Sequence, residues 1–150
     1  LIVIVVIGVL STMMMLSSTE AVTSAKASNI ISNLRNLKTA ALAWYTDNLS
    51  TADASEFDLQ GSNKADLKTA ILKYMTNGDA GTAETSPFKN YEFQGTSANT
   101  WYVKYSGADI GNSRVAEKLD AKKSDVGING AASTTATTIT TTTGVYMFIR

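Results

Sequence analysis

The first nineteen residues carry no charged side chain, although the whole chain has 13 Lys plus Arg and 13 Asp plus Glu. Residues 1–16, LIVIVVIGVLSTMMML, are mostly aliphatic or methionine, and the first charge is Glu20. A helix needs about 20 apolar residues to cross a bilayer, so this run alone falls short. It fits the apolar part of a secretory signal or a buried stretch of a core equally well. Either way, the segment needs an apolar environment.

A helical pattern follows the apolar run without a break. No Pro or Gly occurs between Val9 and Leu49, so nothing obliges the helix to end there. A continuous helix from Leu1 to Asn48 would be about 70 Å long at 1.5 Å per residue. Its second part shows the i, i+3, i+4, i+7 spacing of an amphipathic helix. The residues predicted to pack it on a head are Val22, Ile30, Ile31, Leu34, Leu37, Ala41, Trp44 and Tyr45.

The remaining residues predict a small head that contains both helices and strands. Residues 62–78 read as a helix with an apolar stripe of Leu67, Ala70, Ile71, Tyr74 and Met75, and residues 114–123 read as another short helix. Alternating apolar residues predict strands near Tyr91 and Trp101, joined by the loop QGTSANT, and a closing strand in VYMFIR. We therefore expect an α+β fold: a long N-terminal helix packed on a small antiparallel sheet, with short helices. Its three parts are residues 1–19, 20–49 and 50–150.

The residue inventory excludes several classes of chemistry. The chain has no Cys and no His, which removes disulfide scaffolds, Cys/His zinc sites, Cys nucleophiles and His-based triads. It also has no Gly-rich phosphate loop, and no acidic loop has the ligand spacing of a calcium site. The sequence therefore predicts no enzyme, no cofactor and no metal site.

The charges of the head indicate a solvated surface more than a nucleic-acid site. The formal net charge is zero, which argues against a strongly basic binder. One small basic group lies in the predicted helix over residues 114–123, but acidic residues interrupt it. Contact with DNA is thus a weakly supported alternative. The basic residues are Arg114, Lys118, Lys122 and Lys123, and the acidic ones are Glu117, Asp120 and Asp125.

Residues 131–144, AASTTATTITTTTG, form a low-complexity stretch rich in threonine. Threonine favours extended backbone and is poor helix material, so we expect a solvent-facing loop or edge strand. The functional alternative is a variable or O-glycosylated display surface.

The chain resembles the type IV pilins and their relatives, the type II secretion pseudopilins. The resemblance rests on LIVIVVIGVLS with its glycine at Gly8, on its direct continuation into NIISNLRNLKTAALAWYTDN, and on the strand-rich head that follows. It covers about residues 1–48 and is only architectural beyond them. It places Leu1 about six residues inside the family's mature N terminus, which would lengthen the apolar run to about 22 residues, enough to span a bilayer. The methylated phenylalanine and the glutamate that the family carries there would precede Leu1.

The resemblance implies a structural protein that polymerises with itself. Prepilin peptidase would process the precursor in the inner membrane, and the pilus assembly machinery would then extract it into an extracellular filament. The apolar helix would serve first as membrane anchor and then as filament core, with adhesion, twitching motility or DNA uptake as downstream uses. The residues expected to pack in that core are Leu1, Ile2, Val3, Ile4, Val5, Val6, Ile7, Val9, Leu10, Met13, Met14, Met15 and Leu16.

Two details of this core follow from the same comparison. In family filaments the helix often melts between the glycine and a later proline, whose place is taken here by Leu16. Because Gly8, Ser11 and Thr12 still lower helix propensity, we expect local unwinding over residues 8–16 in an assembled filament. The three consecutive methionines are expected to supply adaptable packing rather than a metal or redox role.

Two other functions stay open. A major pseudopilin of type II secretion has the same N-terminal pattern, but such proteins usually carry a calcium-binding loop near the C terminus, where this chain is rich in threonine. A secreted binding protein with a residual signal segment is the other alternative, and it would be found without residues 1 to about 20.

Overall fold

The computed structural model of the chain describes residues 1–48, 64–75, 87–97, 100–133 and 135–149. One helix, α1, runs unbroken from Ile2 to Asn48, which confirms the continuity predicted from the absence of Pro and Gly. Its 47 residues span about 70 Å. The other helices are α2 (Lys64–Lys73), a 3₁₀ turn (Ala108–Gly111), α3 (Ser113–Ala121) and α4 (Lys123–Val126). The strands are β1 (Tyr91–Ser97), β2 (Thr100–Tyr105), β3 (Ile128–Asn129) and β4 (Val145–Phe148).

The four strands form one antiparallel sheet in the order β1-β2-β4-β3. The register places Phe93 opposite Val103, Val103 opposite Met147, and Met147 opposite Ile128. All four of these side chains are buried, so one apolar row crosses the whole sheet. The architecture is α+β, as the sequence predicts.

The face of the sheet that carries this row packs on α1. The Tyr45 ring of α1 meets the Trp101 ring of β2 edge to face, with centroids 5.3 Å apart. The opposite face buries Tyr102, whose ring packs against Phe148 at 5.5 Å. Trp101 and Tyr102 are thus both almost fully buried, on opposite faces of the sheet.

Strand β1 and the helix predicted over residues 114–123 have different bounds in the structure. Strand β1 continues to Ser97 through a bulge between Gly95 and Ser97, so Gln94, Gly95 and Ser97 of the expected loop pair with β2 instead. Helix α3 begins after Asn112, whose side chain accepts a bond from the Arg114 amide, and the chain turns at Lys122 before α4. Gly127, with φ +74°, then ends α4 in the left-handed region.

The inward stripe predicted for α2 is partly wrong. Leu72 is fully buried although it lies outside that stripe, and Tyr74 is 44% exposed although it was expected inside. Helix α2 ends at Lys73, so Tyr74 no longer follows the helical spacing. Its hydroxyl bonds the Asp47 carboxylate, which raises the pKa of Tyr74. Residues 62–63 and 76–78 of the predicted helix lie outside the described residues.

The described part of the threonine-rich stretch is a loop that crosses the head between β3 and β4. Its one large apolar side chain, Ile139, is buried in the core and fixes the loop in place. The Ile139 amide donates to the Asp120 carboxylate at 2.9 Å. That bond, with a second one from Lys123, holds the pKa of Asp120 below its usual range. Most of the threonines around it face solvent, which fits the expected loop.

Gly130 tests how closely this loop packs on the sheet. A Cβ atom at Gly130 would collide with the backbone carbonyl of Thr138, and hydrogen bonds at both neighbours of Thr138 hold that carbonyl in place: the Gly130 amide donates to the Thr137 carbonyl and the Ile139 amide to Asp120. We expect Gly130→Ala to lower the free energy of unfolding by about 2 kcal/mol, as overpacking does elsewhere. Urea unfolding of the full chain in detergent measures this. Gly111→Ala is the matched control, because a Cβ there meets nothing within 4 Å, and equal midpoints for the two variants would contradict the packing described.

Candidate functional site

The first part of α1 projects away from the head with its apolar side chains exposed. Residues 1–19 are called the apolar half-helix here, and at 1.5 Å per residue they extend about 28 Å, close to the hydrocarbon thickness of a bilayer. Each large apolar side chain in it whose burial is described is at least 49% exposed. They are Leu1, Ile2, Val3, Ile4, Val5, Val6, Ile7, Val9, Leu10, Met13, Met14 and Met15.

Exposure on this scale is unusual for a folded chain. Single apolar side chains on a surface are normal, whereas a contiguous apolar patch marks a surface that contacts a membrane or another protein. Here the patch runs all round the helix, because its residues occupy every angular position. By length and composition, α1 is suited to cross a membrane. The apolar half-helix is therefore the candidate functional site.

The helix is continuous through residues 8–16 in the single chain. The Thr12 hydroxyl is bonded back to the carbonyls of Val9 at 2.8 Å and Gly8 at 3.1 Å. Such bonds satisfy the hydroxyl within an apolar segment, but they also compete for the carbonyls that hold the helix together. The unwinding predicted at Gly8, Ser11 and Thr12 concerns an assembled filament and stays a prediction.

The second part of α1 is fixed to the head by one buried face. Leu34 and Leu37 are fully buried, and Ile30, Ile31 and Ala41 are nearly so. Trp44 and Tyr45 are half-buried and pack against the same core. Ala27 and Ala40 also lie in this contact, where their small side chains let the helix approach the head closely.

Val22 differs from the predicted packing: it is 54% exposed. It lies about 120° around the helix from Leu34, outside the buried face. Thr23 takes the inward position and is 4% exposed, with its hydroxyl donating to the Thr19 carbonyl at 2.8 Å. The apolar pattern favoured Val22 because it counts hydrophobicity and ignores a hydroxyl that is satisfied by its own helix.

Two ion pairs join α1 to the head at the end of the apolar half-helix. Lys26 Nζ lies 2.8 Å from an Asp109 carboxylate oxygen, and Lys118 Nζ lies 3.4 Å from one of Glu20. Exposed pairs of this kind contribute about 0–1 kcal/mol each, so they orient the head more than they stabilise it. Local spacing could not reveal them, since the partners are 83 and 98 residues apart in the sequence.

Further hydrogen bonds between polar side chains lie next to the Lys26–Asp109 pair. The Tyr105 hydroxyl donates to Asp109 at 3.3 Å, and the Asn33 amide donates to the Tyr91 hydroxyl at 3.2 Å. The two tyrosine rings are 4.7 Å apart, beside a cavity of about 200 Å³. Burial raises the pKa of Tyr105 to about 12 and also raises that of Tyr91, so both phenols are neutral at physiological pH. They hold the helix on the head as packing and hydrogen-bonding groups.

Two of the four basic residues in the predicted basic group are paired with carboxylates of the same molecule. Lys118 is paired with Glu20, and Lys123 lies 3.0 Å from Asp120. A groove of about 340 Å³ between α1 and α4 is lined by Arg35 and Lys122. Pairing inside the fold reduces the positive charge available to a phosphate backbone. Among the residues that the structure describes, no three His, Cys, Asp or Glu side chains are grouped to hold a metal ion.

No protein-family model, curated protein or solved structure matches the chain. The apolar half-helix and its junction with the head are thus the features from which a function is inferred.

Leu34 tests whether α1 and the head form one cooperative unit. Replacing a fully buried leucine by alanine destabilises a protein by about 2–5 kcal/mol, so we expect Leu34→Ala to lower head stability by about 3 kcal/mol. The unfolding midpoint, followed by tryptophan fluorescence, measures it, since Trp44 and Trp101 lie on the two sides of this contact. Leu42→Ala on the same helix is the control, because Leu42 is 37% exposed. Similar midpoints for both variants would mean that α1 does not pack on the head as described.

Proposed function

We propose that this chain is the structural subunit of a bacterial type IV pilus, its major pilin, and that it acts by polymerising with itself. The observation that carries the proposal is the apolar half-helix, which is exposed on all sides and rigidly continuous with a helix packed on the head. Such a segment needs two successive apolar environments in a protein that is exported. Before assembly it anchors the chain in the inner membrane, and after assembly it lies among the same segments of neighbouring subunits.

The geometry of α1 supports this two-state use. The apolar half-helix matches the thickness of a hydrocarbon layer, and the charges begin directly after it at Glu20. In a filament, burial of aliphatic surface at about 25 cal/mol per Å² supplies cohesion without any covalent link. This accounts for a filament-forming chain that has no cysteine.

The charge of the head is compatible with side-by-side packing of many copies. The 13 positive and 13 negative side chains all lie from Glu20 onward, so they belong to the part outside the apolar core. Residues 50–150 hold 10 basic and 11 acidic side chains, and heads with a net charge so close to zero do not repel each other strongly at close range. The prepilin peptidase and the assembly machinery would be the transient partners, and adhesion, twitching motility or DNA uptake would follow from the filament.

The pseudopilin of a type II secretion system is the second candidate, since it would use the same helix in the same two environments. The described part of the threonine-rich loop carries no acidic side chain that could ligate calcium, which favours the pilin. A secreted protein with a residual signal segment is the third, and it would leave the apolar half-helix without a role in the mature chain.

Electron microscopy of surface filaments, with mass spectrometry of their main subunit, tests the proposal. We expect long surface filaments composed of this chain with the apolar half-helix retained. A soluble monomer that lacks residues 1 to about 20 would support the secreted protein instead, and the chain as a minor component of a secretion complex would support the pseudopilin. An intact mass equal to that of the bare polypeptide would further rule out O-glycosylation of the threonine-rich loop.

Val6→Asp tests the role of the apolar half-helix directly. A carboxylate in the middle of an apolar membrane segment costs about 2.5–3.5 kcal/mol, and it is again desolvated in a filament core. We expect the variant to lose most surface filaments, measured by shearing and quantitation of the pelleted subunit. Thr141→Asp adds the same charge on the exposed loop and should leave filament yield unchanged. Equal yields of filaments from the two variants would contradict a core role for the apolar half-helix.

The state of the helix around Gly8 gives a separate test. Gly8 weakens the helix, and the Thr12 hydroxyl already binds the carbonyls of Gly8 and Val9. Residues 8–16 are therefore the part of α1 that we expect to unwind when helices pack closely during assembly. We expect a filament map to show missing i to i−4 bonds in this segment. Continuous helical hydrogen bonds through residues 8–16 in the filament would refute the unwinding without affecting the proposed function.

A further inference from the structure

The end of the apolar half-helix carries three consecutive methionines, Met13, Met14 and Met15. They are 66%, 77% and 77% exposed in the single chain. Of the two other methionines, Met147 is buried in the sheet and Met75 packs against the core. The chain thus has its most accessible thioethers concentrated on one turn of one helix.

The position of this turn determines what surrounds it. Residues 17–19 are hydroxyl-bearing and residue 20 is charged, so in a membrane-anchored subunit the methionines lie where the apolar segment meets water. At about 100° per residue they cover roughly 200° of the helix circumference. A neighbouring helix that packs at this level therefore contacts at least one of them from most directions.

We propose that Met13, Met14 and Met15 form a peroxide-sensitive modification site whose oxidation blocks assembly of the subunit. This inference rests on the proposed function, because it requires the same side chains to become buried between copies. The sequence predicts packing alone for these methionines, and their exposure in the structure adds a chemical reactivity that packing later removes.

The chemistry is oxidation of a thioether by a peroxide. The sulfur atom attacks one peroxide oxygen, the O–O bond breaks and a new S–O bond forms, so that sulfur loses two electrons and the peroxide is reduced. The other oxygen leaves as water when the peroxide is hydrogen peroxide, and the product is methionine sulfoxide. Thiol-dependent methionine sulfoxide reductases reverse the step and release the oxygen as water.

The sulfoxide changes what the helix can pack against. A flexible apolar side chain becomes a polar one with a strong acceptor, and such groups are costly to bury without a donor. Most neighbours available in a core of apolar half-helices are aliphatic and methionine side chains, which have no donor to offer, and the hydroxyls of Thr12 and Thr19 already donate to carbonyls of their own helix. An oxidised subunit stays compatible with the membrane–water boundary but not with the filament core.

The experiment compares one chain in two states. Purified filaments are treated with hydrogen peroxide either intact or after dissociation in detergent, and peptide mass spectrometry gives the oxidised fraction at each methionine. We expect oxidation at residues 13–15 to be about tenfold slower in filaments, since burial controls access. Met147 is the internal reference, because its burial within the head is independent of assembly. Equal rates at residues 13–15 in both states would overturn the inference.

The second readout is repolymerisation. After the peroxide is removed, detergent is diluted and the pelleted chain is measured. We expect untreated chains to pellet and oxidised chains to stay in the supernatant, and treatment with the reductases to restore pelleting. The variant with Met13→Leu, Met14→Leu and Met15→Leu keeps side-chain volume and should pellet after peroxide, whereas Met75→Leu should remain as sensitive as the natural chain.

The outcomes separate the two proposals. If untreated chains neither form filaments in cells nor pellet after dilution of the detergent, polymerisation is contradicted. This inference is then overturned together with the proposed function. If untreated chains pellet and chains carrying sulfoxide at residues 13–15 pellet equally well, only the inference is overturned. Loss of pelleting by the triple leucine variant after peroxide would also overturn it, because the sensitive groups would then lie elsewhere.

Discussion

The uncovered apolar surface of residues 1–15 is the constraint on which the rest of the structure depends. Nothing in the single chain covers these side chains, and an exposed apolar surface of this extent in water drives association with whatever apolar partner is available. The head of the same chain does not cover these apolar side chains. The head is instead attached to the far part of the same helix, so that the apolar half-helix stays uncovered in the single chain.

That arrangement requires one helix to serve two kinds of packing. From Thr23 onward, α1 has a single buried face centred on Leu34 and Leu37, while every residue before Glu20 whose burial is described is exposed. The change occurs in the segment between Glu20 and Lys26, and both of these residues pair with residues of the head. Since the helix is unbroken there, the orientation of the head is fixed relative to the apolar half-helix. The stability of the contact between α1 and the head comes from the buried face rather than from the ion pairs.

The sequence predicts the elements that depend on the spacing of apolar residues and on the absence of helix-breaking residues. Continuity of α1 follows from the absence of Pro and Gly, and the buried face from the spacing of Ile30, Leu34 and Leu37. It fails at Val22, which is exposed because it lies outside the face centred on Leu34, whereas Thr23 lies on that face and its hydroxyl donates to the Thr19 carbonyl. It also fails where β1 extends through Gly95 by a bulge, since the partner strand and not the local composition supplies the hydrogen bonds.

The head shows the same dependence on distant partners. Strand β4 lies between β2 and β3, so the last residues of the chain occupy an interior position in the sheet and cannot form it alone. Asp120 of α3 fixes the loop ahead of β4 by binding the Ile139 amide, nineteen residues away in the sequence. This chain has no cysteine, and the C-terminal part of its head is held by strand β4, by the buried Ile139 and by the Asp120 carboxylate. Because these contacts are made among residues of the head and not by the apolar half-helix, the loop surface can vary in sequence without altering the segment proposed to drive assembly.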